Sequence, residues 1–345
     1  MATPARSPTT FSAETYLPQA AYARIVETRI NLPDAAEQAA KQRRRRRALA
    51  PDGKLAILAA DHPARMVLRV GDDPLAMANR WTLLARILRV LTSGQFDGVM
   101  GTPDIIDDLL ILHYMDRDAD GPGFLDDKVM IGCMNRGGLA GAAFELDDRM
   151  TGFTAARIAE MQLDGAKMMF RLDPADPASL ETIGYCVRAI DECTGVGIPV
   201  FLEALMVERT SAGVKVVKTP DALVKVVGVA SALGASSLTT WLKIPYCDRF
   251  EVVAAATTLP ILMLGGESTG DPRGLFTEFV RGMAAGATVR GALVGRYVTF
   301  PGAEDPRAVA QAVHGIVHDG WDADRAAGHL AEASGQELDR FAHLG

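Results

Sequence analysis

The chain has 345 residues, 48% of them hydrophobic and 23% charged, which is ample for one large core with a built active site. A formal net charge of −7 and a pI near 5.5 argue against nucleic acid or an anionic membrane surface as a partner. Cys133, Cys186, Cys193 and Cys247 form no CxxC pair and no zinc spacing, no apolar run approaches the roughly 20 residues of a membrane helix, and the first residues lack a signal-peptide core. A cytoplasmic protein with free thiols is therefore expected.

In chain order, residues 1–50 read as a helical N-terminal extension that ends in five consecutive arginines, Arg43 to Arg47. A basic run of this kind is read as a solvated helix end or a contact with an acidic neighbouring subunit rather than a nucleic-acid arm. From residue 51 short apolar runs alternate with helical patterns. They are KLAILAADHP (54–63), FDGVMGTPD (96–104), KVMIGCMNR (128–136), GAKMMFRLD (165–173), PVFLEALM (199–206), SLTTWLKIPYC (237–247), PILMLGGES (260–268) and VRGALVGR (289–296). Eight β-helix units over about 250 residues predict an α/β fold, a (β/α)8 TIM barrel over 51–320, followed by a helical tail at 321–345. A doubly wound open sheet is the alternative, but no βα junction carries the glycine-rich dinucleotide fingerprint.

In a barrel, chemistry gathers at the C-terminal ends of the strands. Those ends carry Asp61 and His62, Asp104, Asn135 and Arg136, Lys167 with Arg171 and Asp173, Glu203, Lys243, then Gly265, Gly266, Glu267 and Ser268, and finally Gly295 and Arg296. Alternation puts Lys167, Met169 and Arg171 on one strand face, Phe201, Glu203 and Leu205 on another, and Asp61 with Ile57 and Ala59 on a third. If those faces point inward, two lysines and two carboxylates share the mouth. Burial and a neighbouring cation both lower a lysine's pKa, so Lys243, in its apolar run, suits a nucleophilic amine that forms an imine with a carbonyl. Glu203 and Asp61 are the carboxylates to move the protons. The glycines at 265, 266 and 295, with Ser268 and Arg296, suit a phosphate. Arg65, Arg136 and Arg171 suit a second anionic end.

The order Asp, Lys, Glu, Lys on strands one, four, five and six resembles the class I, Schiff-base aldolases of the tagatose-bisphosphate, archaeal-type fructose-bisphosphate and deoxyribose-phosphate superfamily. KMMFRLDPADP (167–177) is similar to their strand-four segment and to the aldolase module of inositol breakdown, and WLKIPY (241–246) resembles their strand-six segment. The resemblance spans roughly residues 54–300 and implies Lys243 as the Schiff-base lysine, with no metal or cofactor, and a phosphorylated ketose or keto sugar acid as substrate. A homo-oligomer is the expected assembly. ADHPAR and GGES depart from the DQRG-type run and the serine-glycine pair of the tagatose enzymes. The likeness of 167–177 to the inositol module implies 5-dehydro-2-deoxyphosphogluconate as substrate, with a fructose-, tagatose-bisphosphate or deoxyribose-phosphate-type aldolase as the alternative.

Plainer readings stand beside these. Lys243 could snorkel from a strand end, Lys167 could simply pair with Glu203, Asp61 could cap a loop, and the glycines could only turn the chain. His62 is read as a packed or hydrogen-bonded histidine outside the catalytic set. A metal-dependent aldolase would need clustered histidines, whereas His113, His314, His318, His329 and His343 fall in helical or tail segments. A barrel that binds a phosphorylated metabolite without turning it over is the non-enzymatic alternative.

Overall fold

The computed structural model describes residues 11–211, 213–266 and 268–345. The first ten residues of the expected extension, and Glu267 at the seventh strand end, therefore lie outside the described residues. The strands are β1 (Leu55–Ala59), β2 (Gly98–Gly101), β3 (Val129–Cys133), β4 (Gly165–Leu172), β5 (Val200–Thr210), β6 (Gly213–Val216), β7 (Thr240–Pro245), β8 (Ile261–Leu264) and β9 (Val289–Val294). All but β6 pair in parallel in the order β4-β3-β2-β1-β9-β8-β7-β5, and β4 also pairs with β5, which closes the sheet. The fold is a (β/α)8 barrel, as the alternating runs predicted.

Parallel strands covered on both faces must be apolar on both, and here each face has its own core. Leu55, Ile57, Ala59, Met100, Val129, Ile131, Cys133, Phe201, Leu262 and Leu293 pack inside the barrel. Ala56, Leu58, Val99, Ala166, Met168, Phe170, Leu242 and Ile244 point outward to the helical ring. This parity turns Asp61, Lys167, Glu203 and Lys243 to the interior. The same outer core includes Tyr16, Leu17 and Ile25 from the N-terminal segment and Leu330, Phe341 and Leu344 from the tail, so the N-terminal helices from residue 13 onward and the tail are packed onto the barrel.

Two features differ from expectation. The arginine run is more than a solvated helix end, because although Arg44, Arg45 and Arg47 are exposed, Arg43 to Arg46 strap the N-terminal rim of the barrel. Arg43 is buried, donating to the Lys128 and Gln162 carbonyls at 3.0 and 2.7 Å and pairing with Asp164 at 2.8 Å. Arg44 pairs with Asp127, Arg45 with Asp164 and Arg46 with Asp97, so the carboxylates preceding β2, β3 and β4 hold the run. The second difference is β6, which folds back antiparallel on β5 from Val207↔Val216 to Thr210↔Gly213 and lengthens the fifth strand into a hairpin above the barrel mouth. No helix among the described residues is long and apolar enough to cross a membrane.

Candidate active site

A cavity of about 240 Å³ opens at the C-terminal face, and its wall includes Asp61, His62, Arg65, Glu203, Lys218 and Lys243. Strand register explains the grouping. Glu203 on β5 lies directly beside Lys243 on β7, and Met169, not Lys167, lies beside Glu203 on the other flank. Lys167 thus sits one inward-facing layer deeper than Glu203. Its side chain is fully buried beneath the cavity, its ammonium 2.9 Å from Asp61 Oδ2 and 2.8 Å from Glu203 Oε2. Lys243, 6% exposed, reaches the same Glu203 oxygen at 3.0 Å and also faces the open space.

The two lysines have opposite electrostatics. Burial disfavours the charge on both, but Lys167 has a carboxylate on each side and its pKa is raised. Burial weighs most on Lys243, which pairs directly with Glu203, feels Asp61 only more weakly and is opposed by the Lys167 cation, so its pKa is lowered. Burial pushes the Glu203 carboxyl up, yet the two ammonium groups more than offset this and bring it down to about 2. Burial pushes the Asp61 carboxyl up as well, but the surrounding positive charges, Lys167 foremost with Lys243 and Arg65 behind it, together hold it well below the usual carboxylate range. Each side chain therefore has a definite resting state: two carboxylates ionised, one ammonium locked, one amine poised to lose its proton.

Gly265, Gly266, Gly295 and Arg296 line the cavity across from this cluster, as the sequence proposed. Gly266 has φ +72°, a conformation favouring glycine, and a Cβ there would lie 3.5 Å from Lys218 Nζ. At Gly295 a Cβ would meet the His62 ring at 2.3 Å and the Ala59 carbonyl at 2.8 Å, so only glycine lets β9 end this close to β1. Arg65 also lines the wall, its buried Nε without a hydrogen-bond partner among the described residues.

Three expected substrate contacts are placed elsewhere. Arg171 is tied to Asp148, with its Nη2 at 2.6 Å from the carboxylate, and serves to anchor the loop after β3. Arg136 donates to the Ala64 carbonyl at 3.4 Å and is not part of the cavity wall. The Ser268 hydroxyl donates to the Phe300 carbonyl at 3.2 Å and accepts from the Gly270 amide, also away from the wall. All three are strand-end residues whose polar groups found partners in neighbouring loops, which position along a strand does not report. Asp104 likewise falls in the first turn of the helix Pro103–Asp118 and pairs with Arg80.

The family model described as Cgl0159-like matches residues 53–316. This chain belongs to the Cgl0159-like family. Within that family, the crystal structure of Cgl0159 from Corynebacterium glutamicum (Brevibacterium flavum) is 37% identical, with a TM-score of 0.81 over 88% of this chain and 99% of that one. More distant likenesses are to a Schiff-base-forming fructose-1,6-bisphosphate aldolase and to the fructose-bisphosphate aldolase of Slackia heliotrinireducens. The first is 20% identical, with a TM-score of 0.55 over 82% of this chain and all (100%) of that one. The second is 16% identical, with a TM-score of 0.58 over 95% and 97%. At such identities the likeness is one of fold, and the Cgl0159-like barrel is built as those aldolase barrels are. No curated protein is significantly similar to the chain.

Two polar wall residues of this Cgl0159-like barrel escaped sequence reasoning. Lys218 reaches the cavity because the β5–β6 hairpin brings the chain back over the mouth, along with Val216. The GVKVV alternation after a short turn was the available signal. His62, set aside as a packing residue, lines the cavity beside Asp61. Among the described residues no group of three or more His, Cys, Asp or Glu side chains has the geometry to hold a metal ion.

Proposed function

We propose that the chain is a class I aldolase in which Lys243 forms a Schiff base with a phosphorylated ketose or keto sugar acid. The observation that carries this reading is the Lys243 amine, buried, lowered in pKa, 3.0 Å from Glu203 and open to a cavity of substrate size. The neutral amine adds to the substrate carbonyl, and the carbinolamine loses water with Glu203 passing the protons. The iminium then accepts the electron pair of the neighbouring C–C bond as a hydroxyl on the far carbon gives up its proton and becomes the aldehyde. Asp61 is assigned to that side of the reaction. Lys167 acts as a positioning residue that keeps both carboxylates ionised. The iminium itself is the electron sink, so the reaction needs no metal or cofactor.

Backbone amides at Gly265, Gly266 and Gly295, with Arg296 and Lys218, suit a phosphate, and Arg65 suits a second anionic group. The likeness of residues 167–177 to the inositol-breakdown module favours 5-dehydro-2-deoxyphosphogluconate, cleaved to dihydroxyacetone phosphate and malonate semialdehyde, over fructose or tagatose bisphosphate. We take the protein to act on this small molecule as a cytoplasmic homo-oligomer.

Borohydride with dihydroxyacetone phosphate is expected to leave a reduced adduct on Lys243, found by peptide mass. Lys243→Met is expected to lose both adduct and turnover, and turnover is expected to be unchanged by EDTA. An adduct on Lys167, or none at all, would overturn the assignment, the latter in favour of a binding barrel. Comparing kcat/KM for the sugar acid and the two bisphosphates decides the substrate, and preference for a bisphosphate rejects the sugar acid.

A further inference from the structure

His62 follows Asp61 directly and lies in the cavity wall, its ring edge packed against Gly295. Its Nδ1 is buried without a hydrogen-bond partner among the described residues, and Asp61 Oδ1 lies 3.9 Å from it. A buried nitrogen left unsatisfied costs about 1–3 kcal/mol, so its retention at the wall of a substrate-sized cavity calls for a use. Asp61 has one oxygen committed to Lys167, and Oδ1 is the one that faces the imidazole. Glu203, in contact with the Lys243 amine, is placed for protons at the carbinolamine, two C–C bonds from the carbon whose hydroxyl proton must leave.

From this geometry we infer that Asp61 and His62 form a carboxylate–imidazole pair in which His62 Nε2 is the general base for C–C cleavage and Asp61 orients the ring. The inference rests on the aldolase reading and deepens it. A small closure brings Asp61 Oδ1 onto Nδ1–H, as catalytic hydrogen bonds often tighten only when substrate binds, and this fixes the tautomer that leaves Nε2 free to accept. In the Lys243 iminium, Nε2 removes the proton from the hydroxyl on the far carbon of the scissile bond. The C–C bond breaks, its electron pair forms the enamine, and the hydroxyl oxygen becomes the aldehyde carbonyl. The imidazolium then returns that proton to the enamine carbon, regenerating the iminium of the ketone product, which water hydrolyses.

The resting electrostatics agree. Burial first, then the Arg296, Arg65 and Lys243 cations, bring the His62 pKa down to about 3 against the opposing pull of Asp61, so the ring rests in its base form. A substrate anionic at both ends would offset two of those cations and strengthen the base once it is bound.

The test separates Schiff-base formation from proton transfer. With dihydroxyacetone phosphate, borohydride trapping at Lys243 is expected to persist in His62→Ala and His62→Asn, which also shows that both variants fold. Exchange of the substrate's C3 proton with D2O is expected to fall about 10²- to 10⁴-fold in both, and added imidazole is expected to restore it in His62→Ala. Wild-type trapping together with undiminished exchange in the variants, or a loss that imidazole does not relieve, overturns the role of His62 alone. Absence of trapping in the wild type overturns the aldolase reading and this inference together.

Discussion

Lys167 shows how much one buried cation can organise. Its ammonium is the shared partner of Asp61 and Glu203, and it also lowers the pKa of Lys243. Replacing it with methionine would leave two carboxylates facing each other in a dry barrel, a change that costs about 3–5 kcal/mol when a buried partner is removed. Lys167→Met is therefore expected to lower Tm markedly. Losing a nearby cation and gaining nothing opposite, Lys243 is expected to become nucleophilic only at higher pH, so the pH profile of borohydride trapping should move to the alkaline side. An unmoved profile would mean that Lys167 is structural only. Sequence alternation placed Lys167 on the correct face, but its depth below the cavity follows from the β4–β5 register, which no single strand encodes.

At the scale of elements the two ends of the barrel divide the work, activity above and stability below. The arginine run belongs to the lower end. Arg43 has a side chain of 0% exposure and joins the N-terminal segment to the rim before β3 and β4. Arg43→Ala is expected to destabilise the protein by on the order of 3 kcal/mol, read as a fall in Tm, with kcat/KM retained in the folded fraction. Activity lost without a fall in Tm would refute a purely stapling role. The run was visible in the sequence as charge, but its partners Asp97, Asp127 and Asp164 are far along the chain, and charge complementarity across such distances shows only in the fold. The β5–β6 hairpin was missed for a related reason, since a hydrophobic run marks a strand's core and not how far a ladder extends.

For the whole molecule the buried ion cluster predicts the response to acid. Glu203 has its pKa lowered from 4.5 to about 2 in the folded state, so the stability it contributes is fully present above about pH 4.5 and is lost as pH falls through about 2. Asp61 shifts in the same direction. Scanning calorimetry across this window is expected to show Tm falling with pH, and the gap between wild type and Glu203→Gln narrowing as the wild-type carboxylate takes up its proton. A gap independent of pH would show that Glu203 is not ionised in the native protein.

By itself the sequence determined the barrel, the inward parity of its strands and the lysine–carboxylate set, because buried parallel strands must be apolar, side chains alternate with period two, and a charged residue inside such a run stands out locally. Only the tertiary structure decided which strand-end groups reach the cavity. Arg171 and Ser268 turned to partners in adjacent loops, Lys167 sank a layer below, and His62 and Lys218 came to the wall. Those outcomes depend on strand stagger, on loop paths and on which neighbour satisfies each polar group, and all three are set by contacts between residues distant along the chain.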